Sequence, residues 1–214
     1  MRTLILDLGS GNTCRNDLGI IERLIDSVAW ADHSNSKNLK IILKWQLFTN
    51  MHPNIPLWTQ SFSHAYEYAA QLGYQTTASV FDRTMLKWLL GFSIPFVKIA
   101  CLPALWYLLY DVPPEIPIIY SYPANGEEKM IRPPINSRGM ACVRKYPAVA
   151  DDYQQNFSQD ALQAGLSDHT ADWTLYHTYH PYLYECHVKL EDSTGPDAGP
   201  FARTPAQLKE ILDG

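Results

Sequence analysis

The sequence predicts a small (β/α)8 TIM barrel, and three observations support this fold class. The 214-residue chain contains eight short apolar runs rich in β-branched and aromatic residues, and amphipathic segments separate most of them. Continuous apolar runs of this length are typical of parallel strands covered on both faces. A regular alternation of strand and helix implies parallel crossovers. A chain of this size can bury one sizeable core, so we expect residues 1–214 to form a single barrel domain.

The apolar runs define the expected strands, which cover residues 4–8, 40–47, 75–81, 95–100, 116–122, 140–146, 165–169 and 182–190. Helices are expected at residues 17–31, 63–72, 83–90, 102–110, 159–164, 172–181 and 204–212. The last helix has a clear start, because Thr204 can cap it and Pro205 suits its first position. Residues 48–62 and 123–139 break the pattern. A Pro-Pro pair at 133–134 and an Asn-Gly pair at 125–126 predict that the fifth helix is missing or replaced by a loop.

Composition argues against several classes of partner. The net charge is −5 and the 17 lysines and arginines are scattered, so nothing suggests a nucleic-acid-binding surface. No apolar stretch approaches the ~20 residues of a membrane span, and the apolar run at the amino terminus is too short for a signal peptide. We therefore expect a cytoplasmic protein without a membrane partner. Cys14, Cys101, Cys142 and Cys186 have no CxxC spacing, which predicts reduced thiols.

Polar residues near the ends of the predicted strands are the candidate functional groups, because barrel enzymes place their catalytic residues at the carboxyl ends of strands. They are Asp7, Lys44, Gln46, Ser79, Asp82, Lys98, Ser121, Arg144, Tyr146, Ser167, His169, Glu185 and His187. Lysines with hydroxyls suit a phosphate and a carboxylate, and two histidines suit a divalent metal. The structural alternative is that the lysines extend to solvent from strand ends and that the histidines are buried core groups. Lysine is almost never buried without a partner, which favours a functional role.

Several short motifs occur in a characteristic order along the chain. They are Leu-Lys-Trp-Gln at 43–46, Ala-Ser-Val-Phe-Asp at 78–82, Val-Lys-Ile-Ala-Cys at 97–101, Tyr-Ser at 120–121, Tyr-Pro at 146–147, Gly-Leu-Ser-Asp-His-Thr at 165–170, Glu-Cys-His at 185–187 and Gly-Pro-Asp at 195–197. Together they resemble the barrel domain of the N-acetylneuraminate (sialic acid) synthase family, over about residues 4–212. The two histidine motifs and Gly-Pro-Asp are the most specific of them.

This resemblance implies a metal-dependent, aldol-type condensation of phosphoenolpyruvate with an aldose such as N-acetylmannosamine, giving a nonulosonic acid and phosphate. The residues that would bind phosphoenolpyruvate are Lys44, Ser79, Lys98, Ser121 and Ser167. His169 and His187 would hold Mn²⁺ or Mg²⁺, which would polarise the sugar aldehyde.

The resemblance also implies sugar contacts from Gln46, Tyr146 and Asp197, and it makes Asp7, Lys98 and Tyr146 the expected catalytic residues. Asp7 stands where the family has a glutamate that orients or activates water, and it is shorter by one methylene. Arg144 replaces an asparagine, which suggests a more anionic acceptor, and Cys101 replaces a serine.

The family's carboxyl-terminal antifreeze-like domain has no counterpart in the sequence, so any homo-oligomer is expected to use barrel surfaces. Two alternatives stay open at this point. One is a related synthase that uses phosphoenolpyruvate with a different, anionic aldehyde. The other is a non-catalytic barrel that binds a sugar or a partner protein. A metal-dependent hydrolase is a weaker alternative, because the first strand carries no His-x-His pair.

Overall fold

Eight parallel strands close into a barrel in the computed structural model, which describes residues 1–32, 39–123 and 132–212. The strands are β1 (Arg2–Asp7), β2 (Leu39–Leu47), β3 (Gln75–Val80), β4 (Val97–Ile99), β5 (Ile118–Pro123), β6 (Ser137–Cys142), β7 (Leu166–Asp168) and β8 (Leu183–His187). Each strand pairs with its neighbour in chain order, and β8 pairs with β1. The predicted (β/α)8 barrel is therefore confirmed.

Helices surround the barrel. They are α1 (Gly11–Cys14), α2 (Leu18–Ala31), α3 (Thr59–Gln71), α4 (Arg83–Leu89), α5 (Ala150–Gln154), α6 (Gln159–Ala164), α7 (Thr174–Tyr179) and α8 (Pro205–Leu212), with 3₁₀ turns at Pro103–Tyr110 and Pro196–Ala198. None of those in the described ranges is both long and apolar enough to cross a bilayer. Residues 124–131 lie outside the described residues, so the expectation about the fifth helix stays a prediction.

Local sequence explains where the longest helix begins and which face it buries. The Asp17 side chain accepts a hydrogen bond from the Ile20 backbone N–H at 3.1 Å and so caps α2. Apolar residues recur along α2 at helical spacing, and the buried set includes Ile21, Ile25 and Val28. This face packs against the outer surface of the barrel, in a core to which the outward-facing residues of the strands contribute.

The inside of the barrel is layered, because alternate residues of a strand point inward. The lower layer is an apolar cluster separate from the outer core, made of Ile5, Ile42, Phe96, Ile119, Met140 and Leu183. Two residues further along the same strands, the inward positions are Asp7, Lys44, Lys98, Ser121, Cys142 and Glu185, all of them buried. The lower apolar layer, here called the apolar plug, fills the barrel. The buried layer above it on the carboxyl side is here called the polar floor.

Several predicted boundaries are wrong. Strand β6 ends at Cys142 and not at residue 146, so Arg144 and Tyr146 lie in the loop that follows it. Strands β4 and β7 have only three residues each. Helices α1 and α5 were not predicted, because four or five residues carry too little periodicity to be recognised. None of the four cysteines forms a disulfide in the described structure, in agreement with the predicted reduced thiols, and all four are buried.

Candidate active site

A cavity of about 400 Å³ lies at the carboxyl ends of the strands, above the polar floor. Every residue that was assigned a role in the site lines it: Asp7, Lys44, Gln46, Ser79, Lys98, Ser121, Arg144, Tyr146, Ser167, His169, His187 and Asp197. Asp82, also a candidate from its strand-end position, does not line it, because its carboxylate caps α4 and accepts from the Met85 and Thr49 backbone N–H groups. The structure therefore brings residues from seven strands and three loops together around one space. Their individual roles stay predictions.

Lys44 and Asp7 form a buried ion pair on the floor of the cavity. They face each other across the β1–β2 pairing, and Lys44 Nζ lies 2.6 Å from Asp7 Oδ2. Lys44 Nζ also donates to Ser79 Oγ at 2.9 Å. The Gly9 backbone N–H donates to the other Asp7 oxygen at 2.9 Å. Asp7 is therefore held by β1, β2 and the turn after β1 together.

Lys98 repeats this pattern on the neighbouring strands. Its Nζ donates to Ser121 Oγ on β5 at 2.7 Å, and it lies 3.5 Å from Glu185 Oε1. Ser167 Oγ donates to the same Glu185 oxygen at 3.0 Å. Each lysine thus donates a hydrogen bond to a serine hydroxyl on the next strand, and the two lysines form two adjacent ammonium–hydroxyl pairs.

Glu185 is a component of the site that the sequence prediction did not assign a role. Its carboxylate sits between the two ammonium groups, 3.8 Å from Lys44 Nζ and 3.5 Å from Lys98 Nζ. Its Oε2 is buried without a hydrogen-bond partner in the described structure. The signal was present in the sequence, because Glu185 precedes His187 by two residues in a strand and so shares its inward face.

Electrostatics keep these floor groups charged. Burial alone would raise the pKa of Asp7, but Lys44 and His187 outweigh it and lower that pKa below its ordinary 3.8. Burial would likewise raise the pKa of Glu185, but Lys44 and Lys98 lower it. Burial opposes the charge of Lys44, yet Asp7 and Glu185 raise its pKa. Two carboxylates therefore balance two ammonium groups on the floor.

His169 is held as a neutral imidazole of defined tautomer. Its Nδ1 lies 2.6 Å from the Val143 carbonyl oxygen, and because a carbonyl can only accept, the ring donates from Nδ1. The lone pair is therefore on Nε2. Burial and then the neighbouring His187 lower the pKa of His169 to about 3. A neutral imidazole with one nitrogen anchored is the form in which histidine binds metals.

His187 extends from the end of β8 toward two carboxylates. Its Nε2 lies 3.7 Å from Asp7 Oδ2 and its Nδ1 lies 3.5 Å from Asp197 Oδ1. Neither contact is a hydrogen bond, and Nδ1 is buried without a partner in the described structure. Gln46 Nε2 links the two acids, donating to Asp7 at 3.1 Å and to Asp197 at 3.0 Å. Burial raises the pKa of Asp197, and His187 partly offsets this.

Two observations fit a divalent cation held by the histidines. One is the orphaned Nδ1 of His187, since buried polar atoms are normally paired. The other is the anchored, neutral ring of His169, whose centroid lies 5.6 Å from that of His187. Over the described ranges, no group of three or more His, Cys, Asp or Glu side chains is arranged to hold a metal. An ion at the two histidines would therefore need further ligands from substrate or water.

The mouth of the cavity combines an aromatic wall with an exposed cation. The Tyr146 ring lies 4.1 Å from the His169 ring and 5.0 Å from the Phe201 ring, although Tyr146 is 53% exposed. Arg144 is exposed on the same loop and lines the cavity. Phe201 was not predicted, because it lies far from the strand ends in sequence.

Comparison with known proteins identifies the architecture. No protein-family model matches the chain, and no curated protein matches it in sequence. Among solved structures, an N-acetylneuraminic acid (sialic acid) synthetase from Leptospira borgpetersenii, in complex with citrate, superposes with a TM-score of 0.76 at 17% identity, over 99% of this chain and 81% of that one. The barrel has the fold of a sialic acid synthetase.

Two further structures share this fold with lower TM-scores. The spore coat polysaccharide biosynthesis protein spsE from Bacillus subtilis gives a TM-score of 0.70 at 20% identity, over all of this chain and 66% of that one. A phospho-2-dehydro-3-deoxyheptonate aldolase (DAHP synthase) from Thermotoga maritima gives 0.64 at 11% identity, over 99% and 67% of the two chains. At these identities the likeness establishes the fold alone.

Proposed function

We propose that this chain catalyses a metal-dependent, aldol-type condensation of phosphoenolpyruvate with an aldose, N-acetylmannosamine or a similar sugar, to form a nonulosonic acid and phosphate. The observation that carries the proposal is the pair of buried ammonium–hydroxyl units, Lys44 with Ser79 and Lys98 with Ser121, in one cavity with His169 and His187. Fold similarity to a sialic acid synthetase and a DAHP synthase supports the same reaction class.

The ammonium–hydroxyl units suit a ligand with two anionic groups. Phosphoenolpyruvate carries a phosphate and a carboxylate on the same carbon atom, and charge-assisted hydrogen bonds offset the loss of their hydration. Lys44 and Ser79 would bind one group, and Lys98, Ser121 and Ser167 would bind the other. Glu185 holds both ammonium groups within 4 Å of its carboxylate, which fixes their separation.

The reaction forms one carbon–carbon bond and one carbon–oxygen bond, and it breaks one carbon–oxygen bond. Carbon 3 of phosphoenolpyruvate attacks the aldehyde carbon of the sugar, and the aldehyde oxygen takes up a proton. Water adds to carbon 2 and loses a proton, leaving a hydroxyl there. The bond from carbon 2 to the phosphate oxygen then breaks while that hydroxyl becomes the ketone, and its proton leaves with the phosphate. Asp7, ionised and oriented by Lys44 and Gln46, would orient that water or accept its proton. Gln46, Tyr146 and Asp197 would contact the sugar.

His169 and His187 would hold Mn²⁺ or Mg²⁺, which when bound supplies a Lewis acid for the aldehyde oxygen. The chain's own contribution is to keep both rings in place for it. Val143 fixes the tautomer of His169, and Tyr146 and Phe201 pack around the two rings and exclude water. Burial around the rings also keeps His169 unprotonated.

The proposal is tested by measuring inorganic phosphate released from phosphoenolpyruvate with a panel of aldoses and with Mn²⁺ or Mg²⁺. We expect release that depends on both the aldose and the metal. Lys98→Met should lower kcat by about 10²-fold or more, because a buried cation that offsets developing charge is lost. Lys145→Met, on the exposed pair with Asp152, is the matched control and should leave the rate unchanged. Absence of release with every aldose and both metals would overturn the proposal.

A second candidate is a related synthase whose acceptor aldehyde is anionic, and the exposed Arg144 at the cavity mouth favours it. Under this alternative, Arg144→Asn should raise the KM for a phosphorylated aldose about tenfold and leave the KM for a neutral aldose unchanged. Equal effects on both acceptors would exclude an anionic one.

A further inference from the structure

A buried ionic cluster, here called the Asp168 cluster, lies behind the two histidines, outside the cavity. It consists of Asp168 at the end of β7, Tyr184 on β8 and Arg203 before α8, each no more than 1% exposed. Tyr184 donates to Asp168 Oδ2 at 2.5 Å, and Arg203 Nη2 lies 3.4 Å from the same oxygen. None of these side chains lines the cavity, so the proposed reaction does not use them directly.

Arg203 fastens the loop that follows His169. Its guanidinium donates to the Thr170 carbonyl at 2.6 Å and to the Asp172 carbonyl at 2.5 Å. It also stacks over the Trp173 ring, with its central carbon 4.5 Å from the ring centroid. The residues just after His169 are therefore bound to one rigid, planar side chain.

The Arg203 backbone is bound in turn to the strand that carries His187. Its N–H donates to the His187 carbonyl at 2.8 Å, and its own carbonyl accepts from the Lys189 N–H at 2.9 Å. Two residues earlier, Phe201 packs edge-on against the His187 ring at 5.0 Å, and its carbonyl accepts from Arg203 Nη1 at 2.8 Å. Arg203 thus hydrogen-bonds the backbone of His187 and the backbone next to His169.

We propose that Arg203, held by Asp168 and Tyr184, is a positioning residue that fixes the placement of His169 relative to His187. This inference rests on the proposed function only in so far as the two histidines hold the metal. Groups that support metal ligands from behind typically change metal affinity 10- to 100-fold when they are altered. We therefore expect the Asp168 cluster to set the affinity of the site for the divalent cation.

The test compares Arg203→Lys, which keeps the charge and loses the planar fork, with Arg23→Lys on the exposed pair with Asp192. Tyr184→Phe is the milder second variant in case Arg203→Lys does not fold. Titration with Mn²⁺ alone, followed by electron paramagnetic resonance of the free ion, gives the Kd without any turnover. Imidazole nitrogen NMR without metal reports the surroundings of His169 and His187, and circular dichroism monitors unfolding.

We expect Arg203→Lys to fold and to weaken Mn²⁺ binding about tenfold, and to shift the signals of His169 and His187 but not that of His64. Tyr184→Phe should act in the same direction, more weakly. A lower Tm with unchanged histidine signals would overturn the inference and leave Arg203 a stabilising residue only. If the wild type binds no Mn²⁺, the metal part of the proposed function fails, and the NMR comparison alone decides the positioning role.

Discussion

At the scale of single residues, the site depends on polar side chains that the barrel forces into a buried layer. Asp7, Lys44, Lys98 and Glu185 occupy inward positions above the apolar plug, and each is at most 5% exposed. A single buried charge would be costly, but the ionic contacts within this set stabilise every member. The layer therefore stays charged without a bound ligand.

The charge of Asp7 gives the molecule a defined dependence on pH. Because the pKa of Asp7 is lower in the folded protein than its ordinary 3.8, its ionised form stabilises the fold above about pH 4, and this contribution is lost as the pH falls toward the folded value. We expect Asp7→Asn to reduce the free energy of unfolding by about 3 kcal/mol at pH 7, because it leaves Lys44 underpaired. The difference from wild type should shrink steadily below pH 4.

Urea unfolding between pH 2 and pH 7 measures this difference. The control is Asp192→Asn, whose partner Arg23 is exposed, and its effect should stay below about 1 kcal/mol throughout. A difference between wild type and Asp7→Asn that is constant with pH would contradict this reading of the floor.

The sequence identified these residues to different degrees. Lys44, Lys98, His169 and His187 stand out because each is a polar group at the end of an apolar run. Glu185 was seen as a polar residue of a strand end, but its place between two lysines depends on the closure of the barrel. Arg203 could not be connected to His169, which is 34 positions earlier, because only the folded chain brings the two segments together.

At the scale of elements, all eight strands were predicted, because buried parallel strands are nearly continuous apolar runs. The sequence marks the ends of these strands less clearly than their centres. After β6, the apolar Val143 and the polar Arg144 follow one another as they would in a strand, yet pairing with β7 stops at Cys142. The helix expected at residues 102–110 is a 3₁₀ segment at Pro103–Tyr110, a difference in hydrogen bonding that apolar periodicity does not reveal.

The short helix α1 is fitted closely against the loop after β2, and one glycine makes this possible. A Cβ at Gly11 would lie 2.4 Å from the Pro56 carbonyl oxygen and 2.8 Å from that of Ile55. We expect Gly11→Ala to destabilise the fold by about 1–3 kcal/mol, because backbone must move. It should also raise the KM for the aldose, since Asn12 and Asn54 beside it line the cavity.

Thermal unfolding and acceptor kinetics measure the two effects. Gly19→Ala is the matched control, because Gly19 lies in α2 and its added Cβ meets only the Asp17 side chain, at 3.2 Å. That variant should be as stable as wild type or slightly more so. If Gly11→Ala has the same stability and the same kinetics as the wild type, α1 does not constrain the mouth of the cavity.

At the scale of the whole molecule, the last helix completes the layer around the barrel. Helix α8 packs against α2, and the Gln207 carbonyl accepts a hydrogen bond from Trp173 Nε1 at 3.2 Å. Leu208, Ile211 and Leu212 of this helix are buried in the same core as β1 and α2. Helix α8 is therefore joined to β1 and α2 through one shared core.

We expect Leu208→Ala to lower the free energy of unfolding by about 2–5 kcal/mol, because it opens a cavity between α8 and the barrel. Urea unfolding followed by tryptophan fluorescence measures the change. The control is Ile135→Ala, at a fully solvent-exposed position, which should change stability by less than about 0.5 kcal/mol. A loss as small as the control's would mean that α8 is dispensable to the core.

Two carboxylates balance two ammonium groups on the floor, and this balance affects how strongly an anionic ligand and a cation depend on each other for binding. A phosphate monoester that also carries a carboxylate brings roughly two and a half to three negative charges, and the floor has no net positive charge of its own to neutralise them. A metal cation arriving at the histidines would supply the missing charge. Binding of the cation and binding of the phosphate ester would then be coupled. Each would raise the affinity of the protein for the other by the same factor, because such coupling is reciprocal.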